Sequence, residues 1–88
     1  MKFYKLKQLQ WAYGYDQLQQ LIDTGMAWNM EGAMGRAAMD ALKNGACFLP
    51  TSSRKDYYGN VVPSRYMVKD GTAGSYANSV KFYSKLSI

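Results

Sequence analysis

With 88 residues, 48% hydrophobic and 19% charged, the chain has room for one modest core and is too apolar for a disordered segment. It contains no His and a single cysteine, Cys47, which excludes an internal disulfide and removes the commonest general base and zinc ligand. No apolar run approaches the roughly 20 residues needed to cross a bilayer, and the lysines at the start are followed by no secretory apolar region.

These features lead to the expectation of a cytoplasmic protein with no membrane contact, no cofactor and no metal. The net charge of +5 is uneven: residues 1–45 carry five basic against four acidic groups, and residues 46–88 carry six against two. A basic second half favours an acidic partner, although a merely solvated surface explains so small an excess equally well.

In chain order, residues 3–13 have helical spacing, with Leu6, Leu9 and Tyr13 on one side and Lys5, Gln8 and Gln10 largely opposite. Residues 1–6 also fit a short strand. Gly14 breaks the pattern. Asp16, with Gln19 three residues on, reads as the N-cap of a second helix whose buried stripe is Leu18, Leu21 and Ile22, ended by Gly25. The short apolar connection 26–30 should drop Trp28 into the core.

Residues 31–45 are the best-specified helix. Arg36, Asp40, Lys43 and Asn44 fall in one narrow arc and the rest is apolar or small, so the expectation is a central helix covered on most of its circumference, stopped by Gly45. Ala46-Cys47-Phe48-Leu49, closed by Pro50, fits one buried strand with Cys47 as a small hydrophobe. Thr51 to Lys55 reads as a polar loop. Tyr57-Tyr58 and Val61-Val62 flank Gly59-Asn60, the composition of a tight hairpin, and Pro63 should interrupt the returning strand. Arg65 to Val68 reads as its resumption before a turn at Asp70-Gly71. From Ser75 onward both a helix and a strand fit; the wheel favours a helix capped by Ser75, because it separates Asn78, Lys81 and Lys85 from Tyr76, Val80, Phe82, Tyr83 and Leu86.

Little in this inventory points to catalysis. Ser52, Ser53 and Ser64 have no His to activate them, and Cys47 has no neighbouring thiol to share a metal. Asp56 beside two tyrosines reads first as a turn initiator. Gly32-Ala33-Met34-Gly35 matches the G-x-x-G spacing of the KH module, and the element order is loosely similar to that fold, but the intervening residues are not basic and Glu31 adds negative charge. A winged-helix reading would place residues 33–44 in the recognition position and Arg54, Lys55 and Arg65 on the wing. Its weakness is the recognition helix, whose exposed groups include an acid, and Arg36 and Asp40 are spaced to pair with each other.

The pattern Glu31-Gly32, Gly35-Arg36, Ala38-Met39, Leu42, Gly45, Asp56-Tyr57-Tyr58-Gly59-Asn60, Pro63-Ser64-Arg65 and Gly71-Thr72 resembles a group of small uncharacterised proteins of bacteriophages and mobile elements, over about residues 15–75. The motif brings no assigned chemistry. The resemblance implies the cytoplasm of a bacterial host as the setting, and small phage proteins often act by binding and disabling a host or defence protein.

The fold expected is a single α+β domain over residues 1–88, with two or three N-terminal helices packed on a small antiparallel hairpin and a C-terminal helix. The leading functional expectation is a non-enzymatic phage-type protein that binds a host or defence macromolecule through Arg54, Lys55, Tyr57, Tyr58, Asn60, Arg65 and Tyr66, since Tyr and Arg most often anchor interfaces. The alternative is a DNA- or RNA-binding module using Gly32, Gly35, Arg36 and Lys43. A homo-oligomer that covers the aromatic excess is a third possibility.

Overall fold

Six glycines adopt a left-handed backbone, and the first three punctuate a run of helices. The computed structural model describes residues 1–30 and 32–86. Helix α1 spans Phe3–Ala12, α2 spans Asp16–Thr24, a 3-10 turn spans Met26–Asn29, α3 spans Gly32–Asn44 and α4 spans Tyr76–Leu86. Between α3 and α4 lies a two-stranded antiparallel hairpin, β1 Arg54–Lys55 and β2 Val61–Val62, with Arg54 opposite Val62 and Lys55 opposite Val61. The α+β class with helices at both ends is as expected from the sequence, and residues 3–6 belong to α1 rather than to a strand.

Ile22, Ala27, Ala38, Ala41, Leu42, Ala46, Cys47 and Leu49 form the larger core cluster, with Leu18, Leu21 and Trp28 packed against it. A smaller cluster joins Leu6, Phe48 and Tyr83. Gly25 ends α2 in the left-handed conformation, and Ser75 caps α4 by accepting the Asn78 N–H at 3.1 Å. The Asn78 side chain in turn donates to the carbonyls of Leu42 and Lys43, satisfying the open end of α3.

The centre of the molecule is residues 45–50, all buried, and they form no strand. Backbone groups sealed from water cost about 1–3 kcal/mol each when unpaired, so a strand was the natural expectation for Ala46 to Leu49. Partners of other kinds replace the missing ladder. Gln19 accepts the Phe48 N–H at 3.0 Å through Oε1 and donates to the Phe48 carbonyl at 2.8 Å through Nε2. Gln10 and the Tyr83 hydroxyl both donate to the Ala46 carbonyl, at 3.1 and 2.6 Å. Ser79 Oγ donates to the Gly45 carbonyl, Asn44 accepts the Ala46 N–H, and the Cys47 and Leu49 N–H groups reach the carbonyls of Ala41 and Gly74. Arg65 closes the far end, its Nε donating to the Leu49 carbonyl at 2.8 Å and its backbone N–H to that of Pro50 at 2.9 Å.

Several expectations are corrected by this arrangement. Gln10 lies on the buried side of α1, because Ala46 offers a carbonyl and Gln19 an amide oxygen 2.7 Å away. Asp16 is the first residue of α2 while Tyr15 takes the cap position, and Gln19 points inward rather than back to a cap. Helix α3 buries only Ala38, Ala41 and Leu42; its Ala and Gly residues expose little apolar area, so the protein leaves much of its circumference in solvent. Arg54 and Lys55 form β1 while Tyr57 and Tyr58 sit on the connecting loop, and residues 65–68 form a turn instead of resuming a strand. Glu31 lies outside the described residues.

Candidate binding groove between α3 and the hairpin

Residues 56–60 form a loop that the chain locks with one carboxylate. Asp56 Oδ1 accepts the N–H groups of Tyr58 and Asn60 at 2.9 and 2.8 Å, and Oδ2 accepts Asn60 Nδ2 at 3.4 Å. Gly59 supplies the left-handed turn residue at φ 82°. Two further bonds seat the hairpin on the helices: the Tyr57 N–H donates to the Trp28 carbonyl, and Arg54 Nη2 donates to the Asp23 carbonyl near the end of α2. The Arg54 stem passes over Gly25, 3.4 Å from where a Cβ would stand.

Docked in this way, the hairpin leaves a groove between itself and α3. A cavity of about 850 Å³ has Trp28, Met39, Leu42, Leu49, Val61, Val62, Pro63 and Val68 among its apolar lining, with Arg36, Asp40, Lys43 and Asp56 as its charged groups. A second hollow of about 470 Å³ continues it past Met30 to Tyr57 and Tyr58. Trp28, Gly32, Gly35 and Asp56 line both. The glycines matter because they carry no side chains of their own at the junction, where only the Arg36 guanidinium lies over Gly32, so the two hollows read as one trough. Trp28 forms the shared wall, with its Nε1–H buried and unpartnered among the described residues.

At one end of the trough stand the phenol rings of Tyr57 and Tyr58, 75% and 85% exposed and packed edge to face with centroids 5.3 Å apart. The residues proposed for the two competing functions thus meet here: Tyr57 and Tyr58 from one set, and Gly32, Gly35, Arg36 and Lys43 from the other. Asn60 is exposed and also serves the loop lock through its bonds to Asp56. Lys55 is exposed on β1, and Arg54 is tied to α2.

Arg65 and Tyr66 line neither hollow. The half-buried Arg65 guanidinium lies 4.8 Å from the Phe48 ring centroid, 5.7 Å from Phe3 and 6.0 Å from Tyr66, so it clasps α1 to the buried segment. Of the residues expected to form one basic, tyrosine-rich surface over 54–66, the trough thus gathers Tyr57 and Tyr58, while the turn at 65–68 carries the Arg65 guanidinium inward toward Phe48 and Phe3. The G-x-x-G spacing lies inside α3 and not on a loop between helices, and Arg36 sends its guanidinium back over Gly32 rather than toward Asp40.

The chemistry on offer at the trough is apolar contact area, two phenols and a few charges. Among the described residues, no group of three His, Cys, Asp or Glu is placed to hold a metal. Cys47 is buried, and burial first, then the charge of Asp23, push its thiol from 9.0 to about 12, so it stays protonated and inert. No described helix is long and apolar enough to cross a membrane. Sequence reasoning missed Trp28, Met39 and Val68 as groove residues; Met39 carried a signal, since it lies outside the arc of Ala38, Ala41 and Leu42. Comparison with protein-family models, curated proteins and solved structures returned no match.

Proposed function

We propose that this is a non-enzymatic binding protein of phage type, which inhibits or modulates a host or defence protein by seating one of its segments in the α3–hairpin trough. Tyr57 and Tyr58 are the anchors. The observation that carries the reading is the exposure of both rings on a loop locked by Asp56. A ring carried on a backbone already fixed by hydrogen bonds contributes large contact area with less of the loop left to order at the moment of binding. The apolar floor supplies burial for a partner side chain, Arg36 and Lys43 supply positive charge in its lining, and Lys55 adds an exposed charge on β1.

Affinity capture from bacterial lysate tests the reading, with the trough variants deciding it. The expected result is a saturable partner that is lost with Tyr57→Ala plus Tyr58→Ala, is weakened by Gly35→Leu, and is retained with Tyr66→Ala. A partner held equally by the double tyrosine variant contradicts the reading, and so does the absence of any partner.

A further inference from the structure

Hydrogen-bond parity fixes which way each residue of the hairpin turns its backbone. In an antiparallel pair, opposed residues alternate between those that exchange N–H and carbonyl with each other and those that turn both outward. The Asp56 N–H donates to the Asn60 carbonyl at 2.9 Å, and Arg54 and Lys55 stand opposite Val62 and Val61. Pairs 56–60 and 54–62 are therefore the bonded ones. Lys55 and Val61 direct their N–H and carbonyl groups away from the hairpin, Lys55 on the β1 side and Val61 on the β2 side. Pro63 belongs to the same outward set, where its missing N–H breaks no bond within the hairpin.

The free edge of β2 borders the trough. Val61 and Val62 are consecutive in a strand and so point to opposite faces, Val62 onto the larger core cluster and Val61 59% exposed. A cavity lined by both, and by Pro63, runs along the edge between those faces. Neither residue of β1 lines it. Across the cavity stands α3 with Arg36, Asp40 and Lys43, none of them ion-paired among the described residues. Asp56, the remaining charge of the lining, has its carboxylate on the amides of Tyr58 and Asn60. The unlocked charge is thus two cations against one acid.

We propose that the trough takes an extended, acidic peptide segment, which adds to β2 as a further strand. The inference rests on the reading of the trough as a protein-binding site and names the form of segment it accepts. The Val61 N–H and carbonyl supply main-chain pairing, alternate apolar side chains of the segment fill the lining of Met39, Leu42 and Val68, and its acids complement Arg36 and Lys43. A helical segment fits less well. Its backbone bonds to itself, so it would cover the Val61 groups and leave them with neither water nor partner.

Selection of a random-peptide library on the full chain, followed by fluorescence anisotropy of a selected peptide of about eight residues, tests it. The selected sequences should alternate apolar with polar residues and carry acids. N-methylation of the peptide amide that meets the Val61 carbonyl should weaken binding about tenfold, near the upper worth of one hydrogen bond, whereas N-methylation of either neighbouring amide should be tolerated. Val61→Pro removes the outward N–H without touching a bond to β1 and should weaken binding as much; Lys43→Glu should weaken it several-fold. If Val61→Pro disturbs the hairpin, the peptide scan on the unaltered protein decides. Failure to select any peptide, tolerance of N-methylation at every position, a helical circular dichroism spectrum of the bound peptide, or a dimer of the chain that excludes the peptide overturns the inference. Lysate capture that needs Tyr57 and Tyr58 but ignores Val61→Pro also overturns it while leaving the trough reading intact. Peptide binding with the expected scan and no lysate partner does the reverse.

Discussion

Two irregular stretches of this chain, residues 45–50 and residues 56–60, solve the same backbone problem in opposite ways. The first is buried and borrows partners from far along the sequence, including Gln10, Gln19, Arg65, Ser79 and Tyr83. The second is largely exposed and, apart from the Tyr57 N–H on the Trp28 carbonyl, satisfies itself from within, through Asp56. A segment that draws on every helix for its hydrogen bonds holds the fold together, whereas a self-locked one can carry side chains outward without being needed for stability. The contrast separates scaffold from binding surface.

The largest expected effect is at the scaffold. Gln19→Leu keeps the side-chain volume but orphans the N–H and carbonyl of Phe48 and one amide bond of Gln10, so a loss of about 4 kcal/mol is predicted. That is a large share of the total stability of a small protein. Denaturant unfolding monitored by circular dichroism measures it, and a loss below about 1 kcal/mol would break the comparison.

Two of the left-handed glycines, one in each stretch, sharpen it. At Gly45, φ 98°, a Cβ would stand 2.7 Å from the Asn78 carbonyl oxygen and from Phe82 Cβ, whereas at Gly59, φ 82°, nothing lies within 4 Å. Gly45→Ala should therefore cost about 3 kcal/mol or more, and Gly59→Ala about 1 kcal/mol, the backbone strain alone. Equal losses would mean that the environment of residue 45 is not as tight as described.

A pH-dependent effect follows from Cys47 and Tyr83, whose acidic groups burial shifts upward, the thiol from 9.0 to about 12 and the phenol above its ordinary 10.0. Above pH 9 the unfolded chain releases the thiol proton while the folded chain retains it, so the unfolded state binds fewer protons and stability falls as pH rises. Unfolding curves should be insensitive to these groups below about pH 8 and should decline between about 9 and 12, less steeply in Cys47→Ala. An unchanged slope in that variant would contradict the burial of the thiol. The smallest stability effect is expected at the binding loop: Tyr57→Ala with Tyr58→Ala should shift unfolding by no more than about 0.5 kcal/mol while abolishing partner capture.

The helices were legible because their signals are local. Gly25 and Gly45 stop two of them, Ser75 caps α4, and the arcs of Ile22 and of Leu42 match their burial. What the sequence hid was every long-range use of a polar side chain. Gln10 and Gln19 look like solvated residues by composition, and nothing nearby announces that a strandless buried segment 29 residues later needs Gln19. The same holds for Arg65, whose spacing from Tyr58 suggested one patch until the turn at 65–68 carried it under Phe3. Tyr57 and Tyr58 were legible as candidates, because adjacent tyrosines beside a turn have no alternating pattern to bury them. The trough itself was not, since it arises from the packing of Trp28 and two helix glycines against a distant hairpin.

Native-state amide hydrogen exchange tests the division between the two stretches most directly. The Phe48 and Leu49 amides, bonded to Gln19 and to the Gly74 carbonyl, should exchange only through opening close to global unfolding, and the Tyr58 and Asn60 amides through local opening at far lower free energy. Comparable protection of all four, or fast exchange at Phe48, would contradict the account.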